Sequence, residues 1–278
     1  MTKATIAAIP LALAVGLAPA RTGAEPAAAR VADKQVADTM KQIGDGLDRF
    51  VDKMDPQLRR SVIKNERGEV DVKAFLDDLR KSSDAMRNRF EPPRYSANTE
   101  VVAFLKQARR LDEAVARNPG RSGADPAWSL VQPELTKLGA AYGIDFSTDP
   151  SSWTAPMRTS DDDVKAALKR LEKNADGLRK ELEKDVKKDK SIPPAARAGA
   201  VAPAVGLAST AKQAASSFDD GQDVSPLVGK LLSSGHEVES LVAGRKLAAP
   251  ATTMWTGVSD DLGKIAKAYG VTPAPRRD

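Results

Sequence analysis

The chain has no cysteine and a single histidine in 278 residues, and aromatics make up only 4% of it. The missing cysteine excludes disulfides, thiol nucleophiles, zinc knuckles, Cys-x-x-Cys-His haem attachment and a lipidated N-terminal cysteine. His236 is the only imidazole, so the paired Glu-x-x-His motifs of a di-iron bundle lack their material, and its polar setting gives a Ser-His-Asp triad no good prospect. His236 sits among Ser233, Ser234 and Glu237, as expected on the polar face of a helix rather than at a ligand site. Glycines occur singly, so no phosphate-cradling loop is written, and no segment alternates convincingly with the period of a strand. Beyond the N-terminus, the longest apolar stretch, Ala198 to Ala208, is too short for a bilayer span and contains Pro203.

Charge is plentiful but balanced. Lys and Arg total 43 against 38 Asp and Glu, a formal net charge of +5. Residues 33–146 hold 20 basic against 19 acidic side chains and residues 161–272 hold 17 against 16, so each is near neutral and most of the excess lies outside both. A nucleic-acid groove concentrates cations on one face and interleaves aromatics, and neither is present, so nucleic acid is not expected as a partner. Met40, Met54 and Met86 sit at core spacing and read as packing rather than as ligands. Adjacent carboxylates such as Asp77-Asp78 and Asp260-Asp261 diverge by about 100° on a helix and do not converge on one substrate. Gly68, Val70 and Phe75 have the spacing of a calcium loop. The liganding positions are Ile63, Asn65, Arg67 and Ala74, however, which offer too little negative charge for calcium. Lys64 to Gly68 reads instead as a polar turn. Cofactors and metals are therefore not expected.

Residues 1–24 have the tripartite form of a secretory signal peptide: Lys3, the apolar stretch Ala4 to Leu17, and small residues ending at Ala20 or Ala24. The sequence thus predicts an extracytoplasmic protein, periplasmic or secreted, with no stable membrane anchor after cleavage.

What the chain does contain is a stripe written twice. Trp128, Val131, Leu135, Leu138 and Tyr142 are matched 127 residues later by Trp255, Val258, Leu262, Ile265 and Tyr269, and each set is followed by Gly and a β-branched residue. The spacing puts all five side chains on one helical face, with a glycine where a left-handed cap is wanted. With an offset of 128, Val36, Met40, Ile43, Phe50 and Met54 fall on Val164, Leu168, Leu171, Leu178 and Leu182. The sequence predicts an all-α fold, a tandem duplication of an antiparallel four-helix bundle: residues 33–146 and 161–272, joined by a semi-rigid linker over residues 147–160.

Helices are expected at Asp33–Met54, Asp71–Phe90, Asn98–Arg117 and from Asp125 in the first copy. In the second they are expected at Asp161–Lys188, Pro194–Phe218, Ser225–Ala243 and along the second stripe. Ser160 caps an acidic first turn of Asp161, Asp162 and Asp163, and Pro133 predicts a kink or a late start in its helix. Trp153 in the linker is expected to dock between the bundles or against one of them. The residues best placed for ligand or partner contact are Trp128, Tyr142, Trp255 and Tyr269, although aromatics at helical spacing serve cores first. The alanine-rich second helix of copy two is where a ligand cavity would be sought. The sequence predicts a binding, scaffolding or interaction module rather than an enzyme, with an unknown protein as partner. The alternative is a carrier of a small apolar ligand or lipid.

Overall fold

The structure, a computed structural model, describes residues 30–59, 62–65, 68–91, 95, 97–117, 125–153, 158–244 and 249–271. Residues 1–24, expected to form a signal peptide, lie outside the described residues. Among the described residues the fold is all-helical apart from one hairpin: α1 (Asp33–Lys53), α2 (Pro56–Arg59), β1 (Val62–Asn65), β2 (Gly68–Asp71), α3 (Val72–Arg89), α4 (Asn98–Ala116), α5 (Asp125–Ala141), α6 (Asp161–Lys188), α7 (Arg197–Asp219), α8 (Ser225–Ala243) and α9 (Ala249–Ala268).

The expected polar turn at residues 64–68 is flanked by two short strands, which corrects the expectation that no strand is present. β1 and β2 pair antiparallel with Ile63 opposite Val70, and Gly68 supplies the φ of +120° that the return requires. Four residues are too few to display a period of two, although Ile63 is buried while Val62 is 60% exposed. Asp71 then ends β2 and caps α3, its carboxylate accepting from the Ala74 N–H at 2.7 Å.

Helices α1 and α6 form for the same reason. Val36, Met40, Ile43, Leu47 and Phe50 recur at alternating steps of four and three and are all buried, as are Val164, Leu168, Leu171, Ala175 and Leu178 of α6. Ser160 caps α6 as the sequence predicts, accepting from the Asp163 N–H at 3.1 Å. Helix α5 starts at Asp125 and carries Pro133 on its exposed side without ending there. The stripes close identically: Gly143 and Gly270 take φ of +69° and +64°, and the N–H groups of Ile144 and Val271 reach back to Gly139 and Ala266 at 2.8 and 2.9 Å.

In the N-terminal half, α1 packs against α3 and α5, and α4 closes the ring against the same two; in the C-terminal half, α6 packs against α7 and α9, with α8 closing. The buried apolar side chains form two cores without a shared residue, one within residues 36–146 and one within residues 164–269. Small residues set the tightest approaches. A Cβ built on Gly46 would lie 2.6 Å from a Val131 methyl, and the buried Ala204, Ala211 and Ala214 bring α7 close to α6. Met40, Met54 and Met86 are core residues. Among the described residues, no helix is long and apolar enough to cross a membrane.

Candidate functional site

The four aromatic candidates divide into two pairs. Trp128 is fully buried: its ring sits 5.3 Å from Phe50, and its indole N–H donates to Asp112 Oδ1 at 2.9 Å. Asp112 also accepts from Arg109 at 2.9 Å and from the Gln132 side-chain amide, so a buried carboxylate is satisfied by three donors. Trp255, at the matching position, is only half-buried against the C-terminal core. Beside it in the repeat register, His236 and Glu239 take the places of Arg109 and Asp112, with Nδ1 3.6 Å from the carboxylate. The matched position therefore carries a basic side chain facing an acidic one in both halves. Trp153 packs on the N-terminal core, 6.2 Å from Phe146, with its N–H on the Thr148 hydroxyl at 3.0 Å.

Tyr142 and Tyr269 are buried at the other ends of their stripes, and both lie at the seam between the halves. There the first helical N–H of α1, on Asp33, donates to Asp161 Oδ2 at 2.9 Å, and the first helical N–H of α6, on Asp161, donates to Asp33 Oδ2 at 2.8 Å. Ala32 has no side chain to cap α1, so the carboxylate comes from the other half. Two arginines complete the exchange. Arg30 pairs with Asp161 and donates to the Thr159 carbonyl; Arg158 pairs with Asp33 and donates to the Val31 carbonyl at 2.8 Å. Arg30, Asp33 and Val31 lie 128 residues before Arg158, Asp161 and Thr159, so every contact has its mirror image.

Electrostatics explain why the charges alternate. Two helix N-termini, each worth about half a positive charge, point at one another, and the two aspartates neutralise them. The arginines then balance the aspartates. Their side chains are 8% and 4% exposed and that of Asp33 is 7% exposed, whereas that of Asp161 is 33% exposed, so three of the four charges are desolvated and depend on their partners. Arg158 also lies 5.3 Å over the Phe90 ring.

No family model, curated protein or solved structure matches this chain.

Both tyrosines report the dryness of the seam. Burial pushes the Tyr269 phenol up to about 12 against the pull of Arg30, and it raises Tyr142 further, against Arg158. The Tyr142 hydroxyl has no hydrogen-bond partner among the described residues. Two surface grooves flank the seam. One of about 650 Å³ is lined by Asp33, Asp161, Phe90 and Tyr95; one of about 450 Å³ is lined by Arg30, Asp161, Phe218 and Tyr269.

Trp128 and Trp255 are thus kept apart from the seam, while Tyr142 and Tyr269 are brought to it. Arg30, Asp33, Arg158 and Asp161 are the residues that sequence reasoning missed as a group. Their signal was the 128-residue offset itself, carried by polar positions just outside the apolar stripes, in segments that read as leader-adjacent chain and linker.

Proposed function

We propose that this chain is an exported, non-catalytic interaction module: a tandem of two four-helix bundles locked into one scaffold that presents its outer helical faces to a protein partner. The observation that carries the reading is the reciprocal exchange between Asp33 and Asp161, because it joins the halves without drawing on either core. Where buried acidic groups occur elsewhere, they too hold helices together. Asp261, 3% exposed, accepts from Arg170 Nε and Nη2 at 3.1 and 3.0 Å, tying α9 to α6. The export part of the reading rests on the N-terminal sequence.

Scanning calorimetry on the full chain tests the lock. A coupled scaffold melts in one cooperative transition, and the Arg30→Glu/Arg158→Glu variant, still helical, resolves into two. Independent melting of the two halves in the wild type sinks the reading. Native mass spectrometry of protein purified from its producing cell separates module from carrier. The module has the mass of the polypeptide alone, whereas a stoichiometric bound lipid or apolar molecule favours the carrier.

A further inference from the structure

Each half of the seam carries both members of the exchange, a cation and an anion three residues apart: Arg30 with Asp33 in one, Arg158 with Asp161 in the other. The contacts run crosswise, Arg30 to Asp161 and Arg158 to Asp33. A surface that offers the same donors and acceptors as the surface it binds is isologous, the form of interface that two-fold homodimers use. Nothing in such a surface distinguishes the other half of the same chain from the corresponding half of another. The two apolar clusters share no residue, so each half keeps its own core when the halves separate, and what is uncovered at the seam is the charged exchange with Tyr142 and Tyr269 beside it.

We propose that the seam is a self-recognising surface whose second partner is another copy of this chain: two chains exchange halves into a two-fold dimer, with Arg30 of each paired to Asp161 of the other. The proposal rests on the reading of two like halves joined at this seam. Within one chain the connection holds the halves at an effective concentration of roughly millimolar, so the closed monomer prevails in dilute solution. Exchange competes when chains refold together at comparable concentration.

The test refolds the full wild-type chain from denaturant over a range of protein concentrations ending at about 1 mM, where intermolecular pairing matches the linker's effective concentration. Size-exclusion chromatography with light scattering then reads the mass. The expected result is a dimer fraction that rises with refolding concentration to a tenth or more of the protein and that disappears in Arg30→Glu/Arg158→Glu. Should that variant fail to regain helicity, the milder Asp33→Asn/Asp161→Asn variant takes its place, with the dimer fraction falling about tenfold. A wild type that is monomeric at every concentration overturns the proposal, and so does a dimer that forms equally well in the charge variants. Neither result touches the calorimetric lock of the monomer, so failure of the exchange and failure of the scaffold reading remain distinct.

Discussion

Asp33 and Asp161 cap each other's helices: each backbone N–H donates to the other residue's carboxylate, at 2.9 and 2.8 Å across 128 residues of chain. Helix caps are ordinarily local, a Ser or Asp bonding its own first turn, as Ser160 and Asp71 do here. By capping across the seam, the chain makes the end of each long core helix depend on the position of the other half. Local helix chemistry thereby becomes domain geometry.

The two tryptophans of the repeated stripe are not equivalent, and their truncations should differ. Trp128→Ala removes a fully buried ring and leaves Asp112 short of a donor. It should cost about 3–5 kcal/mol in urea unfolding, the range for buried aromatic truncation. Trp255→Ala, from a half-buried position, should cost clearly less. Equal losses, or a Trp128→Ala protein that unfolds like the wild type, would contradict the packing described here.

Helix boundaries were legible because they are punctuated: Ser160 before three aspartates, and glycine after each Tyr of the stripe. The core was legible for a similar reason, since apolar spacing at three and four recurs in both halves even where identities do not. The hairpin at Val62–Asp71 escaped because two four-residue strands have no room for a period. The seam escaped for a different physical reason. Arg30 and Arg158 lie outside every apolar stripe, and buried salt bridges have no periodic signature; only the question of which polar residues also repeat at 128 would have found them.

Glycine positions offer a paired test of close packing. Gly46→Ala places a methyl 2.6 Å from Val131 and should destabilise by about 1–3 kcal/mol through overpacking, with Val131→Ala restoring much of the loss. Gly206→Ala, on the open face of α7 with nothing within 4 Å, should stabilise by about 0.5–1 kcal/mol. Denaturant midpoints read both. A neutral Gly46→Ala would place α1 and α5 further apart than described.

The raised tyrosines make the fold sensitive to alkali. In the unfolded chain a phenol titrates near 10, whereas folded Tyr269 holds its proton up to about 12 and Tyr142 holds it higher still. A group whose folded pKa is raised contributes stability that is complete below the unfolded value and is lost as pH climbs toward the folded one. Stability should therefore decline from pH 10 upward. Absorbance at about 295 nm in the folded protein at pH 11 should show these two phenols un-ionised. Full tyrosinate absorbance in a still-helical protein at pH 11 would mean the seam is wet.

The most direct measurement of the central claim is the distance between the halves. The chain has no native cysteine, so Lys73→Cys on α3 and Lys212→Cys on α7 would carry the only two spin labels. Pulsed dipolar spectroscopy should give one narrow distance distribution for the otherwise wild-type chain. It should give a broad distribution once Arg30→Glu and Arg158→Glu break the exchange, with helicity retained. A broad distribution in the wild type, or a narrow one that survives both charge reversals, would contradict the reciprocal lock.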